Sequence, residues 1–360
     1  VGVRFKGNSS FRHPSVKKSL KIDFDRFDDD LHFHGLAKLN LNNGFKDPTV
    51  LREKLFLDFA RQFVPTIRAA HARVTINGTY WGLYTVIEQV DKTFARSRFG
   101  AHEDGNLFKG EASDDAGGPM GTFGSALTWL GSDPAPYHDH YQLKTNEEDD
   151  DYSQLIHFVD VLNYASADEL EDLLEPIFDV PTALYALALN NLFVNLDSYN
   201  GSAHNYYLYD RDDSGQITHI HWDTNETFGR FLMFLSPADD PLRLDPFWIP
   251  VGGPGGVPQE RPMMSGLWAN DVYRNDYLCA LATMLDSGFD EDAVEQRVHE
   301  LADLIRADIY ADTHSMYSPS AFEHNLEADL VNGQDTIYGL TSFVRRRSAY
   351  LRARLDELGF

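Results

Sequence analysis

The chain has 360 residues, 42% apolar, 24% charged and 13% aromatic, which is the composition of a folded protein and exceeds what one hydrophobic core usually organises. Its 31 Lys and Arg face 56 Asp and Glu, a net charge of -25 that argues against nucleic acid or an anionic membrane surface as partner. No run approaches the roughly 18 apolar residues of a membrane span, and Cys279, the single cysteine, excludes an internal disulfide framework or a cysteine-held metal cluster.

In chain order, the sequence opens at Val1 inside a strand-like segment and without an initiator Met, as expected of a trimmed domain. Leu20, Ile22 and Phe24 alternate with polar neighbours, the period of a half-buried strand. Asp47-Pro48 begins a helix marked by Leu51, Leu55, Phe59 and Phe63. From Ala72 to Glu88 a β-branched and aromatic run is divided by Asn77-Gly78, a strong hairpin signal. Residues 111–141 dissolve into Gly, Pro, Asp and Ser, which reads as an insertion, and the acidic run Glu147 to Asp151 follows. Helices dominate beyond it. Ser166 with Glu169 has the form of a capping box, Pro181 opens a helix to Leu192, and Val294, Val298, Leu301, Ile305 and Ile309 trace a long amphipathic one. Ile337 to Leu355 traces another, on which Arg345 to Arg347 form a solvated or ion-paired face. The class is therefore α+β: a β-rich N-lobe over residues 1–145 and a helix-rich C-lobe over 146–360, with a ligand cleft between them.

Residues 195–229, NLDSYNGSAHNYYLYDRDDSGQITHIHWDTNETFG, carry the chemistry. An apolar helix delivers Asp197; Asn205 leads into a strand, Tyr206 to Tyr209; a turn and a second strand, Gln216 to Trp222, end at Asp223, with Phe228-Gly229 beyond. Phosphoryl transfer uses one carboxylate to orient or deprotonate the acceptor hydroxyl, and an Asn and a second Asp to hold divalent ions. Oxygen ligands of this kind suit Mg²⁺ or Mn²⁺. The plainer reading makes the same residues helix caps and Asx turns. Asp210, Asp212, Ser214 and Gly215 resemble the first half of a calcium loop, but His221 stands where its bidentate acid belongs; the segment is read as a hairpin turn, with a weak Ca²⁺ site as the alternative. His204 and His221 match no zinc spacing and are read as structural.

The chain resembles the CotH (spore coat protein H) family of atypical, kinase-like proteins. The matching pieces are Lys6-Gly7-Asn8-Ser9-Ser10, KKSLKIDF, LREKLFLDFARQF, INGTYWGLYTVIEQVDKTF, GNLFKG, HNYYLY, WDTNETFG, MMSGLWANDVYRNDY and SFVRRRSAYL, which together run the length of the chain. The resemblance implies a reduced protein-kinase-like bilobal fold using ATP and Mg²⁺ or Mn²⁺ to phosphorylate Ser or Thr of a protein substrate. Asp197 is then the catalytic acid, and Asn205 and Asp223 hold metal. The family commonly places a second acid two positions after the metal-binding one, where this chain has Asn225.

For the nucleotide, Lys21 on a strand and Lys109 in Phe-Lys-Gly stand level as phosphate-pairing candidates. Arg52 is preferred to Glu53 as a contact, Glu88 falls where a kinase hinge would meet adenine, and no GxGxxG is present. The Gly- and Pro-rich stretch Ser236 to Arg261, anchored by Phe247 and Trp248, lies where kinases carry an activation segment, and a plain surface excursion is the other reading. The expected partner is a protein substrate with a Ser or Thr acceptor, its tail basic, not nucleic acid, met by a monomer at a spore, cell or extracellular surface. Two other functions are open: an inactive surface or adhesion module of the same fold, favoured by Asn225, and transfer of another group such as AMP.

Overall fold

A computed structural model describes residues 1–100, 102–111, 124–236, 238–252, 257–333 and 335–360. Residues 112–123 of the expected insertion, and 237 and 253–256 of the Gly- and Pro-rich stretch, therefore lie outside the described residues.

The first part alternates short strands with one packed helix: β1 (Gly2–Phe5), α1 (Ser9–Arg12), β2 (Leu20–Asp23), β3 (Lys38–Asn42), α2 (Arg52–Ala60), β4 (Ala69–Ile76) and β5 (Thr79–Glu88). The strands form one antiparallel sheet in the order β1-β2-β3-β5-β4. Asn77 and Gly78 close the β4–β5 hairpin at φ +51° and +81°, the pair of left-handed residues whose twist matches that of the strands. Helix α2 begins later than Asp47-Pro48 suggests. The Asp47 carboxylate first closes a turn on Thr49 N (2.9 Å) and then caps the helix at Arg52 N (2.9 Å), with Val50 turned to φ +56° between them.

The chain continues through α3 (Lys92–Phe99), β6 (Asn106–Gly110), α4 (Ala135–His138), β7 (Tyr141–Leu143), α5 (Ser153–Tyr164), α6 (Leu170–Leu174), α7 (Val180–Leu192), β8 (Tyr206–Asp210) and β9 (Ile217–His221). A second antiparallel sheet has the order β7-β6-β8-β9. It joins strands from both sides of residues 145/146, because β6 pairs along its whole length with β8. The helices α8 (Pro262–Ala269), α9 (Asp271–Asp286), α10 (Glu291–Ala311), α11 (Pro319–Glu327) and α12 (Leu340–Leu358) follow, with one short two-stranded pair before α8 and another between α11 and α12. The architecture is thus mixed, with antiparallel sheets and a helical C-terminal part. Among the described residues no helix is long and apolar enough to cross a membrane.

Two local expectations change. Ser166 Oγ does bond Glu169 Oε2 (2.6 Å), but α6 starts only at Leu170, so the pair closes the preceding turn. Arg345 and Arg346 are ion-paired at the surface to Glu291 and Asp329, whereas Arg347 is completely buried. Its guanidinium bonds the carbonyls of Leu242 (3.2 Å), Leu244 (2.7 Å) and Asn191 (3.1 Å) and Asn191 Oδ1 (2.6 Å). Burial pulls its pKa down to about 10.

A buried ion pair ties the β1–β2 loop to the end of α10. Lys17 Nζ lies 2.6 Å from Asp312 Oδ2, with side-chain exposures of 2% and 1%. The same carboxylate accepts Leu83 N (3.1 Å) from β5 and His314 N (2.9 Å). Removing one partner leaves an uncompensated buried charge, which costs far more than the pair contributes. Asp312→Ala is therefore expected to lower the unfolding free energy by about 3–5 kcal/mol in urea titrations; a loss under about 1 kcal/mol would show that Lys17 finds water instead.

Candidate functional site

The hairpin β8–β9 sets two of the predicted residues side by side. Tyr206 pairs with His221, so Asn205 and Asp223 emerge at the same end, and Trp222 N donates to Asn205 O at 3.1 Å. Both sit in the left-handed region, φ +59° and +53°, a conformation that Asn and Asp tolerate best among non-glycine residues. Asp197 arrives from the end of α7, whose exit is fixed by buried amides: Asn195 Nδ2 donates to Asn190 Oδ1 (3.0 Å) and Asn190 Nδ2 to Asn200 Oδ1 (3.1 Å). Asn205 Nδ2 then donates to the Asp197 carbonyl (2.9 Å) and to its Oδ2 (3.0 Å). Ser202 Oγ donates to Asp197 Oδ1 at 3.1 Å, and His204 Nε2 lies 3.2 Å from that oxygen. Burial raises the Asp197 carboxyl above its usual range, with Asp223 adding to the rise and His204 opposing it. His204 is thus part of the site, contrary to its reading as structural. His221 is structural: its Nε2 is 3.2 Å from Ala186 O and its ring packs on Phe56.

The amide of Asn205 is oriented by Asp197, and its Oδ1 accepts no hydrogen bond from the described residues. Asp223, half-buried, likewise accepts none. Opposite them stands Glu53 of α2. Asn42 Nδ2 of β3 donates to its Oε2 (2.7 Å), while Oε1 is buried with no partner. Burial first, and then Asp223, push the Glu53 pKa up to about 7. Lys6, just past β1, donates to Asn42 Oδ1 (2.8 Å) with its ammonium 5.5 Å from the Trp222 ring centroid. Glu226, with 8% of its side chain exposed, meets Lys46 at 2.6 Å; burial and then Asp197 push its pKa to about 7. Unpartnered carboxylate and carboxamide oxygens in a crowd of like charges are the donor set of a hard divalent cation, so these residues fit Mg²⁺ or Mn²⁺.

Aromatic packing couples α2 to both loops. Phe193, directly after α7, meets Phe56 (5.1 Å) and Phe59 (5.5 Å) of α2 edge-on, and Phe228 at 5.2 Å. Phe228 N also donates to Phe193 O at 2.8 Å.

The predicted nucleotide contacts divide. Lys21 donates to Gln89 Oε1 (2.9 Å), and Lys109 is ion-paired with Glu111. Burial lowers the Lys21 pKa to about 8, helped by Arg4, Lys38, Lys6 and Lys144. Lys109 in turn acts on Lys6 and Lys144, so both candidates belong to one group of cations. Arg52 does not. It is completely buried, ion-paired with Asp47 and bonded to Asn325 Oδ1 and Tyr338 O, each at 2.7 Å. Glu88 is also buried, gripped by Arg68 (2.7 Å) and Arg98 (2.7 Å). An open cavity of about 750 Å³ is lined by Lys38, Lys92 and Lys144 but also by acidic residues such as Asp25, Asp91 and Glu147, and by none of Asp197, Asn205 and Asp223. Residues 210–215 form the β8–β9 turn, with Arg211 paired to Asp213 at 2.7 Å and Gly215 N donating to Arg211 O.

Sequence reasoning passed over Lys6, Asn42, Lys46 and Glu226 and ranked Glu53 below Arg52. The signal for Lys6 was its place at the head of the KGNSS piece, and for Glu226 its place beside Asn225.

A family model described as CotH kinase protein matches residues 3–351, so the chain belongs to the CotH family. It is 26% identical over 343 residues to a protein of Bacillus subtilis (strain 168) described as inner spore coat protein H, covering 95% of this chain and 84% of that one.

The carboxyl of Glu53 makes a pH signature. An unfolded glutamate gives up its proton near 4.5 and folded Glu53 near 7, so between them the folded state holds the extra proton and stability falls as pH rises. Relative to Glu53→Gln, the metal-free wild type is expected to lose stability from about pH 4.5 to 7, with a constant gap above that window. Parallel pH profiles from chemical denaturation of the two proteins would refute this.

Proposed function

We propose that this CotH-family chain is a metal-dependent ATP:protein phosphotransferase acting on Ser or Thr hydroxyls of a spore-coat or cell-surface protein, with a kinase-like bilobal fold. The observation that carries the reading is the Asp223 carboxylate, half-buried and without a hydrogen bond from the described residues, at the same hairpin end as Asn205, whose Oδ1 likewise accepts none from them. A divalent ion and the ATP triphosphate, when bound, supply the phosphoryl group and neutralise the charge that develops on it. Asn205 and Asp223 would hold the ion. Asp197, oriented by Asn205, Ser202 and His204, accepts the proton of the acceptor hydroxyl, a task its raised pKa suits.

In protein kinases the phosphate-pairing lysine stands on the third strand and pairs with a helix glutamate. Here the third strand offers Asn42, and Lys6 of the neighbouring loop reaches Asn42, which in turn binds Glu53 of α2. A lysine–amide–glutamate relay thus fills the role of a direct ion pair. The cations around Lys21 favour a polyphosphate in a chain of net charge -25. The inner spore coat name of the Bacillus subtilis relative supports a spore-surface setting.

Incubation with ATP and Mg²⁺ is expected to raise the melting midpoint and to add roughly 80 Da, one phosphoryl group, by autophosphorylation. Asp223→Ala loses both effects. Asp197→Asn keeps the thermal shift but slows transfer by about 10²–10⁴-fold. Absence of any shift at millimolar ATP and Mg²⁺ would sink the reading, and a gain of roughly 329 Da would replace phosphate with AMP as the transferred group.

A further inference from the structure

Lys46 stands on the connection between β3 and α2 with its backbone at φ +59°, an uncommon conformation for a lysine. The segment after β9 holds it there: Arg230 Nε donates to Lys46 O at 3.0 Å and Asn225 Nδ2 to Phe45 O at 3.4 Å. The ammonium lies 5.5 and 5.7 Å from the ring centroids of Phe45 and Phe231, and 2.6 Å from Glu226 Oε2. A third of the Lys46 side chain is exposed, against 8% of Glu226, so the ammonium covers the carboxylate at the surface of the site.

Two ammoniums divide four carboxylates between them. Lys6 acts on Asp223 and Glu53, and Lys46 acts on Asp197 and Glu226, each pair coupled electrostatically to the other through Asp223. The carboxylate that a second metal ion would take as a ligand, Glu226, is instead held by Lys46. Asn225 contributes no charge and its amide faces Phe45. The one trio of carboxylate and imidazole ligands whose atoms come within 4.8 Å of one another among the described residues is Glu295, His299 and Glu327 of α10 and α11, which takes no part in this site.

We propose that the Lys46 ammonium is the second cation of this site, so that the chain works with a single divalent ion held by Asn205 and Asp223. The inference rests on the nucleotide reading above. A lysine ammonium carries one positive charge and three donors, enough to hold Glu226 with one and to offer the others to phosphate oxygens. No bond is made or broken at Lys46; it binds and neutralises.

The test is a count of Mn²⁺ bound per chain, by electron paramagnetic resonance titration with a non-hydrolysable ATP analogue. The wild type is expected to take up one ion tightly. Lys46→Met, which uncovers Glu226, takes up two, and Lys46→Met/Glu226→Gln returns to one. A purely structural role for Lys46 would not move this count. Two ions of similar affinity in the wild type, or an unchanged count of one in a folded Lys46→Met, overturns the proposal; if that variant fails to fold, the wild-type count alone decides. Uptake of no ion by the wild type overturns the nucleotide reading and this inference with it, a result separate from either of the others.

Discussion

Phe193 is where three parts of the chain are locked together. Its ring lies edge-on to Phe56 and Phe59 of the helix that carries Glu53, to Phe228 of the segment that follows Asp223, and to Phe289 before α10. It also stands four positions ahead of Asp197. Edge-to-face pairs add about 0.5–1.5 kcal/mol each beyond the area they bury. Four such contacts on one ring make a joint that cannot deform a little at a time, because close-packed interiors transmit strain. The spacing of Glu53, Asp197 and Asp223 therefore follows from apolar packing, although all three are carboxylates.

That packing opposes the electrostatics it organises. Glu53, Asp197, Asp223 and Glu226 repel one another in surroundings where water is scarce, and burial favours the neutral forms of Glu53, Asp197 and Glu226. Lys6 and Lys46 relieve part of the repulsion from two sides. Oxygen atoms of Glu53, Asn205 and Asp223 are left without a hydrogen-bond partner among the described residues. An acidic protein has thus gathered several of its 31 cations around one cleft, where they set the local field against the net charge.

Much of this was legible in the sequence where the responsible contacts are local. Asp197, Asn205 and Asp223 lie within one loop and one hairpin, so turn signals and strand alternation brought them together on paper as in the molecule. Lys46 meets Glu226 across 180 positions, and Lys6 meets Asn42 across 36, which no periodicity reports. Arg52 and Glu53 are adjacent helix residues that point in different directions. Nothing in two neighbouring polar side chains says which one faces the carboxylates: both are buried, Arg52 among the acceptors of Asp47, Asn325 and Tyr338, and Glu53 against Asn42. Arg347 was the readable exception. It continues the stripe of Leu340, Phe343, Val344, Leu351 and Leu355 at helical spacing, and only its charge disguised it as a surface residue.

The Lys17–Asp312 bond also constrains the order in which the protein can be finished. Its partners are 295 positions apart, and Arg52 waits for Asn325 over 273. During synthesis the first sheet and α2 emerge long before Asp312, which neutralises Lys17, and Asn325, which bonds Arg52, so they cannot close without stranding the Lys17 charge and leaving Arg52 short of an acceptor. Completion of the N-terminal half is therefore deferred until α10 and α11 have been made. Until α10 and α11 leave the ribosome, the strand edges and the apolar face of α2 stay open to whatever holds nascent chains.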